Sequence, residues 1–403
     1  MNILIVSHQF YPLNSPRAFR WKSIYDDLKN KGHTVKIITG TFQEKSNDDI
    51  FFIGNQKSKT FINNVRTRSN QVDSNKMFIN FIYLILKKVY RLFYKTFAWP
   101  DYSMFWLYSV WKNRKHIDYQ YDVIISVSLP FSSHLAAYIL NKKNQKKWIM
   151  DIGDPFSLKE NAYENNKYLY KYLNFYIEKK FYNIAHQIIF THKESSDSHI
   201  KYFKINKEKI YIGSPISTFN DELFEASKSY KYNTLPIKLG YFGVLTKGVR
   251  SPENTLKFFK NSDFEFNWYT NPDSKLMVTQ NKINLDNHKF FDMVSRDEAL
   301  DKMTSSLHCL LSIGNLNPGQ LPSKIIEYIS TGKPVIHFAE IDDDPVIQIS
   351  KQFNNLIIVN SDSNLPELED KLNKIFLNID TFNKETFIKN YSAGAITSNL
   401  DIL

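Results

Sequence analysis

Residues 314–336 read GNLNPGQLPSKIIEYISTGKPVI, and this stretch decides the fold class. An apolar run ends near Gly314, and a loop of small and turn-forming residues follows it. A helix is predicted to begin at Pro322 or Ser323, because both residue types favour helix starts. The helix is predicted to end at Gly332, since glycine ends helices and the proline two residues later bars continuation. The stretch is therefore a strand, a loop and a helix that leads into another strand.

Strand-like and helix-like segments alternate on both sides of this stretch. Short runs rich in Ile and Val lie at 3–7, 34–39, 122–128, 148–152, 187–191 and 210–213, and again at 237–242, 264–269, 289–294, 308–313, 334–338 and 356–359. Such alternation predicts parallel sheets with right-handed crossovers, and continuous apolar strands fit sheets that are covered on both faces. Because the series occurs twice, we predict an α/β protein with two doubly wound, Rossmann-like domains, at 1–217 and 218–385.

Composition excludes several classes of protein. The single cysteine, Cys309, excludes a disulfide scaffold and a Cys-based zinc finger and suits a reducing compartment. The 12 glycines form no G-x-G pair, and no P-loop motif occurs. Classical NAD(P) enzymes and P-loop NTPases are therefore poor interpretations. The chain opens with an apolar strand, so no secretory signal is expected.

Positive charge is concentrated in the N-terminal half. Residues 1–200 hold 29 Lys and Arg against 16 Asp and Glu, whereas residues 201–403 hold 23 against 25. A one-sided basic field indicates an anionic partner, either membrane headgroups or nucleic acid. The alternative is that the charge serves solubility alone.

The segment 57–95 carries the densest positive charge, with nine cations and one acid. Its apolar part, within 77–99, is interrupted by cations and is too short to span a bilayer. On a helical wheel the cations Lys87, Lys88, Arg91 and Lys95 group on one arc, opposite the apolar side chains, as in membrane-surface helices. We predict a basic amphipathic insertion near 57–116 that contacts an anionic membrane surface, and no nucleic acid. The alternative is a core-packed helix with a solvated face.

Candidate ligand-binding residues of the first domain follow its strands, because doubly wound sheets bind ligands beyond the carboxyl ends of their strands. His8 follows the first strand, and Arg17 and Arg20 occupy the first turn of the next helix. Since the helix dipole disfavours cations there, the two arginines indicate an anionic ligand. Asp154 follows the strand at 148–152, where a carboxylate can accept a hydrogen bond from a substrate hydroxyl. The alternatives are surface arginines and an aspartate that only forms a turn.

In the second domain the candidates follow two strands. Gly243, Lys247 and Arg250 come after the run 237–242, and a backbone loop with two cations can hold a diphosphate without a metal. The helix within 314–336 directs free N–H groups at an anion. Glu327 lies one turn into that helix, where its carboxylate can accept hydrogen bonds from a ribose diol.

The pattern Leu321-Pro322-Ser323-Lys324-x-x-Glu327-Tyr328-x-x-Thr331-Gly332-Lys333-Pro334-Val335 resembles the donor motif of retaining GT-B glycosyltransferases of the family-4-like group, the bacterial surface polysaccharide type. Weaker similarities follow in the same order as in the family, at 3–11 with 31–35, at 148–156 and at 185–189. The resemblance implies two domains facing a cleft, with the donor held mainly by the second. It also implies that a C-terminal helix within 386–403 crosses back to the first domain.

The resemblance also implies roles for individual residues. The donor-binding set would be Gly243, Gly319, Gln320, Leu321, Pro322, Ser323, Lys324 and Glu327, with Glu327 on the ribose. The first acid of the family's Glu-x7-Glu motif falls at Gly319, so the backbone around 319–323 is expected to hold the sugar and diphosphate instead. The expected catalytic residues are Asp154, Lys247 and Arg250, and the expected acceptor-binding residues are His8, Arg17, Arg20 and Asp154.

We therefore predict a hexosyltransferase-type glycosyltransferase, retaining and independent of metal or other cofactors. It would move a sugar from a nucleotide sugar, as co-substrate, to a lipid-linked saccharide in bacterial surface polysaccharide biosynthesis. It would be cytoplasmic and peripherally associated with the inner face of the cell membrane. Two alternatives stay open: a nucleotide-sugar 2-epimerase on the same fold, and a non-catalytic glycosyltransferase-like partner subunit, because Gly319 replaces an acid.

Overall fold

The computed structural model describes residues 1–13, 15–42, 48–54, 96–117, 119–159, 163–217, 219–229, 236–281, 284–316, 321–322, 324–377 and 382–402. They form two compact units, Met1–Gly213 together with Ile396–Leu403, and Ser214–Ala395. The predicted amphipathic segment 57–95 lies outside the described residues, as do Gly319, Gln320 and Ser323 of the predicted donor set.

The first unit contains a seven-stranded parallel sheet. Its strands are β1 Asn2–Ser7, β2 Thr34–Thr39, β3 Ile50–Phe52, β4 Val123–Val127, β5 Lys147–Ile152, β6 Gln187–Phe190 and β7 Ile210–Ile212. They lie in the order β3-β2-β1-β4-β5-β6-β7. Strand order therefore reverses between β1 and β4, which pair in parallel with Ile3 opposite Val123. The carboxyl end of this pair is the topological switch point, where doubly wound sheets bind ligands.

Helices connect the strands of the first unit. They are Pro16–Asn30, Met104–Asn113, Ser132–Asn144, Lys167–Ile184 and Lys193–Phe203, with a 3₁₀ turn at Lys207–Lys209. The first of them begins as its sequence predicts, because Pro16 is its first residue and the Ser15 hydroxyl accepts a hydrogen bond from the Ala18 amide at 3.2 Å.

The C-terminal residues complete the first unit. The helices Lys384–Tyr391 and Ala393–Thr397 lead into this segment. The Gln187 side chain donates to the Asn399 carbonyl at 2.8 Å and accepts from the Asp401 amide at 3.0 Å. The Lys31 ammonium donates to the Thr397 hydroxyl at 2.5 Å. These bonds tie the end of the chain to β6 and to the helix Pro16–Asn30.

The second unit repeats the same strand order with six parallel strands. They are β8 Lys238–Phe242, β9 Glu265–Tyr269, β10 His288–Phe291, β11 Cys309–Ile313, β12 Val335–Phe338 and β13 Leu356–Val359. Their order is β10-β9-β8-β11-β12-β13, so the switch point lies between β8 and β11. The remaining helices are Asp221–Ser229, Glu253–Phe258, Pro272–Thr279, Arg296–Ser305, Ile325–Ser330, Val346–Ser350 and Leu365–Leu377.

Both faces of the second sheet are covered, as the continuous apolar strands predict. Leu310 and Val335 belong to one hydrophobic cluster, and their chain neighbours Leu311 and Ile336 belong to another. Successive side chains of a strand point to opposite faces, so apolar residues in a row require a helix layer on each side. The prediction of two doubly wound α/β domains is confirmed. Among the described residues, no helix combines the length and apolar character that crossing a bilayer requires.

The helix of the motif stretch differs from its prediction at one end. It begins at Ile325, after a turn in which the Ile325 amide donates to the Pro322 carbonyl at 3.1 Å. Its other end agrees, because Gly332 has φ +73°, a left-handed conformation that favours glycine. The result is a short helix with Glu327 in its first turn.

Candidate functional site

The loop after β8 closes on itself at the switch point of the second unit. The Arg250 amide donates to the Thr246 carbonyl at 2.8 Å, and the Thr246 amide donates to the Arg250 carbonyl at 3.0 Å. Gly248 lies at the tip with φ +76°, a conformation that favours glycine. Lys247 is therefore exposed at the tip, and Arg250 returns to the base of the loop and is half-buried.

Asn315, which sequence reasoning did not single out, fixes Arg250. The guanidinium donates to the Asn315 Oδ1 atom from Nε at 3.1 Å and from Nη2 at 2.9 Å. The backbone reinforces this contact, because the Leu316 amide donates to the Val249 carbonyl at 2.8 Å. The loops after β8 and β11 thus meet at the point where strand order reverses. The only sequence signal was an amide side chain directly after a strand-ending glycine.

Glu327 lies between two cations. Its Oε1 atom is 2.7 Å from Arg296 Nε, and its Oε2 atom is 2.7 Å from Lys324 Nζ. Burial raises the pKa of Glu327, but Lys324 and Arg296 outweigh burial and hold the pKa below its ordinary value. Glu327 is therefore a buried carboxylate with lone pairs left for hydroxyl donors. Arg296 was missed by sequence reasoning because it comes from a different helix.

Tyr328 connects the helix of Glu327 to the end of β8. Its buried hydroxyl accepts a hydrogen bond from the Phe242 amide at 2.9 Å and donates to the Phe242 carbonyl at 3.2 Å. Phe242 directly precedes Gly243, the first residue of the loop that carries Lys247 and Arg250. Through Tyr328, the helix that carries the predicted ribose residue Glu327 is hydrogen-bonded to the end of β8. The predicted diphosphate residues Lys247 and Arg250 follow that same strand end.

A buried polar chain supports the end of β11. The His337 ring contacts the Ser312 hydroxyl through Nδ1 at 2.9 Å and Asp344 Oδ2 through Nε2 at 3.1 Å. Asp344 Oδ1 also accepts from the Val346 amide at 2.9 Å, at the start of the helix Val346–Ser350. A Cβ atom at Gly314 would lie 2.5 Å from Asp344 Oδ2, so the close approach of the loop requires glycine.

In the first unit, Arg17 is tied to the ends of β4 and β5. It donates from Nε to the Ser128 carbonyl at 2.6 Å and from Nη2 to the Asp151 carbonyl at 3.2 Å, and it forms an ion pair with the Asp151 carboxylate. Trp21 Nε1 also donates to Asp151 Oδ2, at 2.6 Å. Asp151 is fully buried. Its negative charge therefore compensates Arg17, whose predicted acceptor contact stays a prediction.

Arg20 and His192 lie in the same electrostatic environment. Burial lowers the pKa of Arg20 to about 10, although the negative charge of Asp151 acts to raise it. Burial also lowers the pKa of His192, while Glu194 and Asp154 act in the opposite direction. Asp154 is exposed. It follows β5 and His192 follows β6, so neighbouring strand ends place a carboxylate in electrostatic reach of an imidazole that the sequence did not single out.

His8 is fixed among aromatic residues at the carboxyl end of β1. Its amide donates to the Ser133 hydroxyl at 3.1 Å, and its ring lies edge-on to Tyr102 and Trp106, with centroids 5.7 and 5.1 Å apart. The Gln9 side chain donates to the Tyr102 hydroxyl at 2.5 Å. The predicted acceptor residue His8 is therefore packed against two aromatic side chains, Tyr102 and Trp106.

The structure groups the predicted residues into separate sets. Arg250 joins Asn315, Glu327 joins Lys324 and Arg296, and Arg17 joins Asp151. Leu321 and Pro322 precede Lys324 by three and two residues in the chain. Within the parts of the chain that are described, no three His, Cys, Asp or Glu residues are placed to hold a metal ion.

Comparisons with known proteins identify the fold. No protein-family model and no curated protein matches the sequence. Sucrose-phosphate synthase from Thermosynechococcus elongatus matches with a TM-score of 0.59 and 11% identity, over 98% of this chain and 96% of that one. The apo lipopolysaccharide outer core galactosyltransferase WaaB matches at 0.55 and 12%, over 99% and 100%.

The UDP-GlcNAc 2-epimerase from Methanocaldococcus jannaschii matches at 0.51 and 11%, over 99% of each chain. At such identities the likeness shows the fold alone. The chain has the GT-B glycosyltransferase fold, as the resemblance implied. Its place in the retaining, family-4-like group stays a prediction.

Proposed function

We propose that the chain is a glycosyltransferase that moves a sugar from a nucleotide-sugar donor to a saccharide acceptor. The observation that carries this proposal is the guanidinium of Arg250, held by the neutral Asn315 amide at the switch point of the second sheet. Switch points of doubly wound sheets bind nucleotides. A fixed cation there fits a diphosphate, whose negative charge increases as the sugar departs.

The donor would be held by residues of the second unit. Arg250 contacts the diphosphate from the base of the loop, and the exposed Lys247 reaches it from the tip. Glu327 accepts hydrogen bonds from the ribose hydroxyls, and its cationic partners keep it ionised. Gly243 and the chain from Gly319 to Lys324 complete the proposed site with backbone groups. Because the diphosphate is neutralised by side chains, transfer would need no metal.

The acceptor would be held by residues of the first unit. His8 and Tyr102 form one side of the proposed site, and Arg20, near the Arg17–Asp151 ion pair, supplies positive charge. Asp154 would accept a hydrogen bond from the attacking hydroxyl, with His192 in electrostatic reach. Transfer with retention of configuration is part of the proposal and rests on the motif around Glu327.

We further propose that the acceptor is lipid-linked and that the enzyme works in surface polysaccharide biosynthesis at the inner face of the cell membrane. The excess of cations in residues 1–200 supports this setting, and one structural neighbour is by name a lipopolysaccharide galactosyltransferase. The segment 57–95 would contribute to membrane contact. Reversing Lys87, Lys88, Arg91 and Lys95 to Glu should then weaken pelleting with anionic vesicles.

A thermal-shift panel of nucleotide sugars tests the donor assignment, because a ligand that binds only the folded state raises the melting temperature. We expect one nucleotide family to stabilise the protein, and the same donor to support transfer in the presence of EDTA. No stabilisation by any nucleotide sugar would contradict the proposal. Activity that is lost with EDTA and restored by Mg²⁺ would contradict the metal-free part alone.

A nucleotide-sugar 2-epimerase is the second candidate, because an enzyme of that name shares the fold over the full chain. An epimerase converts its nucleotide sugar without an acceptor. Incubating the purified chain with the stabilising donor alone therefore separates the two. Appearance of the epimeric sugar would favour the epimerase, and dependence on an added saccharide would favour the transferase.

A further inference from the structure

We propose that the second unit binds a saccharide in a cavity at the amino edge of its sheet. The cavity has a volume of about 260 Å³ and lies between the end of the helix Glu253–Phe258, the start of β9 and the start of β10. The candidate donor residues instead follow the carboxyl ends of strands. The five residues of β9, at about 3.3 Å each, separate the two edges by roughly 15 Å. A ligand in this cavity is therefore not the nucleotide sugar of the proposed donor site.

The volume of the cavity limits the size of its ligand. Sites for drug-sized ligands occupy about 300–1,000 Å³, so 260 Å³ is too small to enclose a nucleotide sugar. One water molecule takes about 30 Å³ in the liquid, so the cavity equals about nine water molecules. This space holds one sugar ring with its hydroxyl groups.

The rim of the cavity consists of polar side chains. They are Lys260, Asn261, Ser262, Asp263, Asn284 and Asn287. A carboxamide offers two N–H donors and an acceptor oxygen, which matches a sugar hydroxyl, because a hydroxyl also both donates and accepts. Among the described residues, Lys260 and Asp263 form no ion pair and the Asn287 side chain forms no hydrogen bond. These groups are therefore left for a ligand.

The charge of the rim favours a neutral ligand. Lys260 and Asp263 contribute one charge of each sign, so the rim has no net charge. Repulsion by Asp263 would offset the attraction of Lys260 for a phosphate group. A neutral ligand with several hydroxyls can use both, since one hydroxyl accepts from the ammonium and another donates to the carboxylate.

The inner wall of the cavity is apolar and buried. It consists of Leu256, Phe259, Phe264 and Phe266. Small-molecule sites combine such a wall with a few polar groups that fix the orientation of the ligand. The C–H groups of a sugar ring can pack against the wall while its hydroxyls reach the rim.

His288 adds one oriented N–H donor to the lining. Its ring stacks on Phe266 with centroids 4.6 Å apart, and its Nδ1 atom accepts a hydrogen bond from Trp268 Nε1 at 3.0 Å. Burial lowers the pKa of His288 to about 4, so the ring is neutral near pH 7. The proton of the neutral ring then lies on Nε2. In the described part of the chain this N–H has no hydrogen-bond partner.

The choice of a saccharide rests in part on the proposed function, whereas the cavity and its polarity do not. On the proposed function, the ligand is a sugar residue of the acceptor or product that takes no part in the transfer. Holding such a residue raises the effective concentration of the rest of the saccharide. The cavity would then favour long saccharides over short ones.

The indole N–H of Trp268 reports binding. Trp268 is fully buried, so a ligand acts on it only through His288. A hydrogen bond from His288 Nε2 to a sugar oxygen polarises the ring and strengthens the bond that Nδ1 accepts from Trp268. Proton–nitrogen NMR spectra resolve the indole signals of the six tryptophans, and Trp268→Phe assigns the signal.

The probes are glucose, galactose, mannose, rhamnose and N-acetylglucosamine. Each is added to the purified protein at about 100 mM, which fills a site with a Kd near 1 mM. We expect at least one of them to move the Trp268 signal downfield, and a titration of that sugar gives its Kd. Uridine and guanosine at the same concentration should leave the signal unchanged.

Variants of two exposed rim residues test whether the cavity holds the sugar. Asp263→Asn should raise the Kd of the sugar about tenfold, because a hydrogen bond to a charged group is stronger than one to a neutral group. Asn287→Ala should raise it severalfold. Asp273→Asn is the matched control and should leave the Kd unchanged, since Asp273 is an exposed aspartate of the same unit on the helix Pro272–Thr279 and does not line the cavity.

Three outcomes would overturn the proposal. They are no change of the Trp268 signal with any of the five sugars, a change that Asp263→Asn and Asn287→Ala leave intact, and a change caused by a nucleoside but by none of the sugars. Failure of the proposed function is a different result. It would appear as a protein that no nucleotide sugar stabilises in the thermal-shift panel, whether or not a sugar moves the Trp268 signal.

Discussion

The two units use an arginine differently at corresponding places. In each sheet the first strand is third in order and borders the switch point, and in each unit an arginine follows that strand. Arg17 lies in the first turn of the helix after β1, and Arg250 lies in the loop after β8. Arg17 is bound to the buried carboxylate of Asp151. Arg250 is bound to the neutral amide of Asn315, and among the described residues no carboxylate forms an ion pair with it.

The partner decides what each arginine can do. A carboxylate at ion-pair distance neutralises Arg17 and makes it part of the fold, because a buried charge needs compensation. An amide oxygen orients Arg250 without cancelling its charge, so the guanidinium keeps its attraction for an anion. One strand order therefore supports a structural cation in the first unit and, in the second, a cation that the proposed function assigns to ligand binding.

The largest expected effect is on stability, at Asp151. Replacing Asp151 by Asn keeps the shape of the side chain but removes the charge that compensates Arg17. Breaking a buried ion pair from one side costs about 3–5 kcal/mol, and urea denaturation measures it. The exposed Asp154→Asn is the control and should change stability by less than about 0.5 kcal/mol. Equal stability of Asp151→Asn and wild type would show that Arg17 is not a structural cation.

The next effect is on turnover, at Arg250. Arg250→Ala should lower kcat about 10²–10³-fold, because it removes a preorganised donor from the site where charge develops on the leaving diphosphate. Lys247→Ala, at the exposed tip, should have a smaller effect. Steady-state kinetics with a saturating donor measures both.

A variant of Asn315 sharpens the same comparison. Asn315→Asp gives Arg250 the kind of partner that Arg17 has, and it should weaken donor binding severalfold because the new carboxylate neutralises the guanidinium. Unchanged donor affinity with an intact fold would contradict the role assigned to the amide.

Glu327 should affect donor affinity. Glu327→Gln removes a charged acceptor for ribose hydroxyls, and a hydrogen bond to a charged group contributes about 1.5–3 kcal/mol, which is roughly 10–150-fold in Kd. Calorimetry with the donor measures the change. Glu298→Gln, on the helix of Arg296, is the control and should leave the Kd unchanged.

The pairing of Glu327 also has a pH dependence. Because its pKa in the fold lies below the ordinary value, the pairing stabilises the protein above the unfolded pKa of about 4.3 and is lost as the pH falls through the folded pKa. The wild-type protein should therefore lose more stability on acidification than Glu327→Gln. Parallel stability curves for the two proteins would show that the ion pairs of Glu327 do not cause the pH dependence.

Lys333 of the second unit, like Arg20 of the first, is a buried cation whose pKa is lowered by burial, but the pKa of Lys333 falls close to neutrality. Burial lowers the pKa of Lys333 to about 7, although its ammonium donates to the Leu307 carbonyl. Between about pH 7 and pH 10 the unfolded chain binds a proton there that the folded chain does not. Wild-type stability should therefore rise with pH relative to Lys333→Met, by up to about 1.4 kcal/mol per pH unit. Urea denaturation at pH 7, 8 and 9 tests this slope, with the exposed Lys260→Met as control, which should run parallel to wild type.

The sequence by itself determined the architecture, because its signals are local. Apolar runs spaced by helical patterns specify strands and crossovers, and the alternation predicts parallel sheets without any knowledge of contacts. The helix of the motif stretch ends where Gly332 and Pro334 require it to end, since both act on the backbone next to them. Gly243, Arg250, Lys324 and Glu327 could be selected because they follow strands or occupy a first turn.

Only the tertiary structure decided the partners. Arg250 meets Asn315 across 65 residues of chain, Arg296 meets Glu327 across 31, and Arg17 meets Asp151 across 134. Such pairs depend on which strands become neighbours, and hydrophobic periodicity carries no information on that. Which side chains are exposed to solvent was likewise decided by tertiary packing. Tyr172 and Tyr182 lie on one helix, yet the first is solvent-exposed and the second is buried, because packing against the sheet covers only one side of the helix.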